Sequence, residues 1–285
     1  MAGGARVGAA QTRATLAAET VGRLGETSEV FITERAGHAR LLAAAAARGR
    51  ARLVIAWGGD GTINEVASAL AFGSVPLGIV PAGSGNGLAT ELGIDARPDR
   101  AIGHAMRAKP QSIDMGELGG RLFVNVAGVG LDAHIASQFN TGGDRRRGFA
   151  GYLRVSVRAL ATYRPATYWI SSDGARMTAR ALLVAVANSA QYGNGAQIAP
   201  GARVDDGELD LVVVEERSRF ATLCRAPRLF AGTVDRTPGF SSRRVRQATI
   251  ECDKPMVFHV DGEPIEGGTL LTALVHPGAL KICVR

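Results

Sequence analysis

Gly58-Gly59-Asp60-Gly61-Thr62 stands between an apolar run, Leu53 to Trp57, and a helix-like Ile63-Asn64-Glu65-Val66. A strand that ends in glycines and turns at once into a helix offers bare backbone N–H groups to an anion, and the helix N-terminus points its positive end the same way. A second turn of the kind, Pro81-Ala82-Gly83-Ser84-Gly85-Asn86, follows the apolar Leu77 to Val80. Together the two predict a nucleotide site, with the amides of Gly58, Gly59, Gly61 and Thr62 facing those of Gly83, Ser84, Gly85 and Asn86 around a polyphosphate. Neither turn has the lysine of a GxxxxGK[ST] loop or the GxGxxG and distant acid of a dinucleotide fold.

Asp60 is out of place in an anion-binding turn, because its charge repels phosphate unless a cation or a hydrogen bond intervenes. Its presence predicts magnesium, structural pinning of the loop, or both. Thr62 and Asn64 are expected to cap the following helix, and Glu65 to pack against the loop among the nucleotide-binding residues. A later turn, Val260-Asp261-Gly262-Glu263-Pro264, carries two carboxylates after the apolar Val257-Phe258. Asp261 could take a proton from an attacking hydroxyl while Glu263 orients it or helps hold a metal; an ordinary Asp-Gly hairpin is the other reading. Asp205-Asp206-Gly207-Glu208-Leu209-Asp210 is an acidic turn suited to a hard cation or to a plain surface hairpin. None of His38, His104, His134, His259 and His276 pairs with Cys or Glu at metal-site spacing, so the histidines are assigned no catalytic part.

These turns need elements to hold them. Helices are expected over residues 7–24, 37–47, 62–71, from about 85, and over 97–107, with strands near Val30 to Thr33 and over 52–57 and 76–80. That alternation predicts a mostly parallel sheet covered on both faces. Beyond Pro110 strand-like runs dominate: Leu122 to Val126, Ala166 to Ile170, Ala181 to Val186, Leu209 to Val214 and Ala248 to Glu251. Helices are expected there only around 148–162 and 218–231. The basic Arg145-Arg146-Arg147 reads as an exposed loop before a helix, either solvated or facing an anion. The terminal apolar segment, Leu270 to Val284, is a further strand region.

With 285 residues, 46% of them hydrophobic, the chain can fill one large or two ordinary cores. It has no run of 18 apolar residues and no signal-peptide segment, which leads to a cytoplasmic expectation. Cys224, Cys252 and Cys283 are too few and too scattered for a disulfide framework. A net charge of +7 favours an anionic partner. Sparse aromatics without basic interleaving argue against nucleic acid.

The chain resembles the diacylglycerol kinase catalytic domain superfamily, which includes bacterial lipid kinases and sphingosine and ceramide kinases. The resemblance rests on GGDGTINEV (58–66), PAGSGNGLA (81–89), IDMG (113–116), FVNVAGVGLDA (123–133), NSAQYGNGAQIAPGARVDDGELDLVVV (188–214) and VDGEP (260–264), in the family's order. It implies two domains: an N-terminal Rossmann-like α/β domain over 1–115 plus about 272–285, and a C-terminal β-rich, sandwich-like domain over 116–271. It also implies an ATP-dependent lipid kinase whose nucleotide loops are those above, with Asp261 as base, Glu263 as companion acid and Asp60 beside them in a cleft between the domains. A structural magnesium would involve Asp206 with backbone oxygens of Arg203 and Glu208. The implied partners are a lipid, such as a diacylglycerol or sphingoid lipid, and in passing an anionic membrane surface; a homodimer is a further expectation. The alternatives are an NAD kinase-like enzyme, which shares the GGDGT loop, and a non-catalytic nucleotide-dependent lipid-binding protein. The sequence departs from the family at Met1-Ala2-Gly3-Gly4-Ala5-Arg6, where relatives have an apolar strand and an Asn-Pro turn. On this resemblance the chain is expected either to start downstream of that strand or to lack one edge of the site.

Overall fold

The computed structural model describes residues 7–141 and 149–284. It divides into two compact units, Met1–Ile113 with Gly278–Arg285, and Asp114–Pro277. The first contains helices α1 (Val7–Arg23) and α2 (His38–Arg48), strand β1 (Val54–Gly58), α3 (Asp60–Leu70), β2 (Leu77–Pro81), α4 (Gly87–Glu91) and α5 (Pro98–Arg107). Strands β1 and β2 run parallel, Val54 opposite Leu77 through Gly58 opposite Pro81. A third strand joins them from far along the chain, with Ile282 opposite Leu77.

Local chemistry explains most of these boundaries. Ile63, Val66, Ala67 and Leu70 recur at helical spacing and are the buried face of α3. Pro98 opens α5, with Asp99 in its first turn and Arg107 in its last, matching the helix dipole. Val30 to Thr33, expected as a strand, is not one: Val30, Phe31 and Ile32 are exposed and pair with no strand among the described residues. β-branched residues favour a strand only where a neighbouring strand supplies ladder bonds and side-chain contacts.

The second unit contains β3 (Gln111–Leu118), β4 (Arg121–Phe123), β5 (Val126–Gly130), α6 (Leu131–Thr141), α7 (Phe149–Thr162), β6 (Ala166–Ser172), β7 (Ala175–Ala187), β8 (Gln191–Gly193), β9 (Ala196–Gln197) and β10 (Leu209–Glu215). After these come α8 (Arg219–Arg225), α9 (Pro227–Phe230), β11 (Phe240–Val245), β12 (Gln247–Cys252), β13 (Val257–Val260), β14 (Glu263–Glu266) and β15 (Leu270–Ile282). The chain crosses from the first unit to the second within β3 and returns within β15. β7 is the spine: Ala175–Ala181 pair with β6, and the residues after Leu182 pair with both β5 and β10. Its apolar run is continuous because both faces are covered. Ala181, Val184 and Val186 enter one core with Leu211, Val213, Ile250 and Phe258, whereas Leu183, Ala185 and Ala187 enter another with Ile198 and Val212. Fully burying one such Leu or Val stabilises by about 1.5–3 kcal/mol, so a charge at Val184 would break this unit.

Three expectations for this unit need correction. Leu122 to Val126 is two strands that part at Val124-Asn125, because the amides there bind a side chain instead of a ladder. The expected helix over 218–231 is two helices, since Pro227 has no N–H for the turn before it. A further helix, α6, was not foreseen.

Candidate functional site

In the first unit the glycine turn is shorter than the sequence suggests. β1 ends at Gly58, Gly59 is extended (φ −91°, ψ −176°), and α3 begins at Asp60 with no side-chain cap. Thr62 and Asn64 therefore lie inside the helix and do not cap it. By helix geometry the first-turn amides of α3 have no intrahelical partner, and they carry the positive end of its dipole.

Asp60 joins the two glycine turns. Its Oδ1 accepts the Gly87 amide at 2.7 Å and its Oδ2 the Asn86 amide at 2.9 Å. The second turn also closes on itself: Asn86 Oδ1 accepts the Gly83 amide at 2.8 Å, and Asn86 Nδ2 donates to the Gly83 carbonyl at 3.0 Å. The turns touch at their glycines, where a Cβ on Gly83 would stand 2.6 Å from Gly59 Cα. Structural pinning is thus a role Asp60 plays. The amides of Gly83 and Asn86 are engaged within the pair of turns. Burial pushes the Asp60 carboxyl above its usual range, against the opposing pull of the Gly87 and Asn86 amides. Glu65, expected among the nucleotide-binding residues, turns to another helix: its carboxylate accepts the Gly37 amide at 2.7 Å and the Arg40 amide at 3.4 Å, at the start of α2.

In the second unit Asp261 and Gly262 are the two central residues of the β13–β14 hairpin, both at positive φ (47° and 83°), the turn that Asp-Gly favours. The hairpin reading and the functional one meet here, because the Asp261 side chain reaches the corner between β4 and β5. Its Oδ2 accepts the Val124 amide at 2.9 Å, and its Oδ1 accepts those of Asn125 at 2.8 Å and Val126 at 3.2 Å. Three backbone donors fix its orientation. Glu263, two residues on, is exposed.

Asn125, Asn188 and Ser189 are the residues sequence reasoning missed. The fully buried Asn188 donates from Nδ2 to the carbonyls of Val124 at 2.9 Å and Asp114 at 3.0 Å, and its amide donates to the Asn125 carbonyl at 2.7 Å. Ser189 Oγ donates to Asn125 Oδ1 at 3.0 Å. The corner is therefore clamped through its carbonyls by Asn188 and through its amides by Asp261. The available signal was a lone amide in each of two apolar runs, FVNVAG and VAVANSA. A polar group placed inside such a run is buried and needs a partner.

The acidic turn leads into β10 and is not a hairpin. Asp206 Oδ1 accepts the Glu208 amide at 3.2 Å, while Gly207 donates its amide to Asp114 Oδ2 at 2.7 Å. Arg244 stands 3.8 Å from Asp206 Oδ2 and 4.0 Å from Glu208 Oε2. Arg203 pairs with Asp205 at 3.2 Å, and burial pushes the Asp210 carboxyl up. Among the described residues no three His, Cys, Asp or Glu side chains could hold a metal. The set implied here, one carboxylate and two peptide carbonyls, is of another kind; as hard oxygen donors it suits magnesium chemically, with Arg244 already supplying positive charge. The basic segment 145–147 lies outside the described residues. No helix among the described residues is long and apolar enough to cross a membrane.

Residues 4–118 match the diacylglycerol kinase catalytic domain, and residues 125–284 match the YegS C-terminal NAD kinase beta sandwich-like domain. An N-terminal α/β domain followed by a β-rich, sandwich-like one is the architecture expected from the sequence. A "probable lipid kinase YegS-like" protein of Pseudomonas fluorescens is 32% identical over 260 residues, covering 89% of this chain and 84% of its own. A protein of the same description from Pseudomonas aeruginosa is 32% identical over 292 residues, covering 98% and 91%. Among solved structures, a diacylglycerol kinase from Bacillus anthracis superposes with a TM-score of 0.74 at 19% identity, covering all of this chain and 93% of its own. An NAD kinase from Archaeoglobus fulgidus in complex with ATP superposes with a TM-score of 0.54 at 12% identity, covering 94% and 88%. These two likenesses speak for the fold.

Proposed function

Because the chain belongs to the diacylglycerol kinase catalytic domain family, with its YegS-type C-terminal domain, we propose that it is an ATP-dependent lipid kinase transferring the γ-phosphoryl group to a lipid hydroxyl, such as that of a diacylglycerol or a sphingoid lipid. The observation that carries this reading is the Asp60 clasp, which makes two glycine turns one unit with a helix N-terminus among its donors. The names of the Pseudomonas relatives support a lipid as acceptor.

In this reading residues 1–115 with 272–285 are the nucleotide half and 116–271 the lipid half. The first-turn amides of α3, with those of Ser84 and Gly85, hold phosphate oxygens, while Asp60 keeps the two turns in register. Asp261 takes the proton of the attacking hydroxyl, with Glu263 beside it. Three amides keep Asp261 in one orientation, which suits phosphoryl transfer, where positioning and electrostatics contribute more than strong proton abstraction. Magnesium, when bound, would offset phosphate charge, with Asp60 and the Asp261 region holding it; Asp206 with the Arg203 and Glu208 carbonyls would hold a structural ion. A net charge of +7 favours brief contact with an anionic membrane from a cytoplasmic protein, each Lys or Arg near such a surface contributing about 1 kcal/mol. A homodimer is part of the proposal.

Labelled ATP and magnesium, incubated with the protein and a mixed bacterial lipid extract and in parallel with NAD, test this directly. A labelled lipid identified by mass spectrometry is the expected product. Labelled NADP would transfer the reading to the NAD kinase-like alternative, which rests on the shared GGDGT loop. Lipid retained on vesicles in the presence of ATP without any labelled product would mark a binding protein.

A further inference from the structure

We infer that Asp132 and His259 form a positioning pair that sets the Asp261-Gly262 turn, an inference that rests on the reading of Asp261 as the base. The two residues are 127 positions apart, and both are buried. Asp132 lies in the first turn of α6, where the helix dipole favours a negative charge, and its Oδ1 accepts the Ala133 amide at 2.8 Å. Its Oδ2 meets His259 Nε2 at 3.1 Å and accepts the Tyr192 hydroxyl, also at 3.1 Å.

The other face of the imidazole determines what the pair does. The Gly262 amide, a fixed donor, points at His259 Nδ1 at 3.3 Å. Nδ1 must therefore accept, so the proton of the neutral ring sits on Nε2 and is donated to Asp132. Asp132 thus fixes both the tautomer and the orientation of a ring whose remaining nitrogen holds the residue next to Asp261. The backbone makes room for this arrangement. His259 stands opposite Gly128 in the β5–β13 ladder, and a Cβ on Gly128 would lie 2.6 Å from Asp132 Oδ2. The carboxylate occupies space that a side chain on β5 would fill. Asp261 is consequently gripped twice, by the 124–126 amides on its carboxylate and by His259 on the peptide that follows it.

His259→Asn and His259→Gln separate the two halves of the ring's work. Asn places an acceptor near the Nδ1 position and has no donor toward Asp132; Gln places a donor near Nε2 and has no acceptor toward Gly262. Both variants lose one buried contact, so similar melting temperatures are expected. The measurements are kcat and KM with ATP and dispersed diacylglycerol, together with hydrogen exchange of the Gly262 amide. The Asn variant should keep about tenfold more kcat than the Gln variant, with KM for ATP shared by the two, as for misplacement of a reacting group without loss of nucleotide binding. Gly262 should exchange about tenfold faster in the Gln variant than in the Asn variant. Equal exchange and equal kcat in the two variants would overturn the pair's positioning role. The exchange measurement needs no turnover, so a protein that phosphorylates no lipid would end the kinase reading while the Gly262 amide still decides this one.

Discussion

Two aspartates in glycine turns, Asp60 and Asp261, are held in the same manner and placed to different effect. Asp60 sits at a helix N-terminus and receives two amides, both from a turn 26 and 27 residues away. Asp261 sits at a hairpin tip and receives three, from a corner 135 to 137 residues away. Two amides do not offset the desolvation of Asp60, whose carboxyl is pushed up. Asp60 is thus a reluctant anion whose bonds join two loops of one unit, whereas Asp261 is held by three amides that over-determine its orientation. The contrast teaches that an acid in a glycine turn first shapes the backbone, and that the number and origin of its donors separate a loop clasp from a candidate for chemistry.

The largest expected effect comes from Asp261→Asn. Asn tolerates the left-handed turn but offers one acceptor oxygen where the carboxylate offered two, and it cannot act as a base. Turnover should fall about 10²- to 10⁴-fold, the span of a lost general base, while ATP affinity measured by calorimetry stays near that of the wild type. Native-rate turnover would remove Asp261 from the chemistry and leave it a hairpin residue.

Asp60→Asn should show the opposite pattern. Its amide nitrogen would face a backbone N–H, and losing a hydrogen bond to a charged group costs about 1.5–3 kcal/mol. ATP affinity and the urea stability of the first unit should fall together. If only turnover changed, Asp60 would belong with the chemistry and the contrast would break.

A smaller effect follows from titration. Because burial raises the folded carboxyl of Asp60, the folded protein binds that proton more tightly than the unfolded chain. The stability this contributes is present below the ordinary carboxyl value of 3.8 and is lost as pH rises through the raised folded value. The stability of wild type relative to Asp60→Asn should therefore fall as pH rises from the ordinary carboxyl value of 3.8 through the raised folded value. An opposite slope in urea titrations would show that the amides outweigh burial.

The smallest effect is expected for Glu65→Gln, which keeps an acceptor for the Gly37 amide and weakens only the hold on Arg40. A loss of about 1 kcal/mol or less in thermal unfolding, with ATP affinity unchanged, fits a side chain on α3 that holds the start of α2. A clear rise in the ATP Kd would return Glu65 to the nucleotide site.

Much of this was legible because it is local. An apolar run ending in glycines marks β1 and β2 with their turns, and helical spacing marks α3 and α5. The continuous apolar stretch of β7 was visible as a strand, although its two-sided burial was not. What escaped detection depends on partners distant in sequence. Val30 to Ile32 has strand chemistry without a ladder. Asn125 parts β4 from β5 because Asp261 takes its amide, and no spacing in the sequence announces that exchange. α6 was hidden because Leu131 follows glycine-rich Ala127 to Gly130, whose texture reads as a turn. His259 sits among strand residues buried on both faces, where no alternation singles it out, and its partner lies on a helix that had not been foreseen. The Asp60 clasp was half legible: the misplaced charge pointed to pinning, but only the folded chain shows that Asn86 and Gly87 are what it pins.

The strand that closes the first unit's sheet carries a consequence for synthesis. Phe72 donates its amide to the Ala279 carbonyl and Cys283 donates to that of Leu77, so a sheet begun at Val54 waits for residues more than 200 positions later. At about 5–20 residues per second on the ribosome, the 164 residues from Asp114 to Pro277 delay that closure by roughly 8–33 seconds. During this interval the β2 flank that β15 will cover stays unpaired. Trimming the last eight residues would accordingly injure the half of the molecule that was made first.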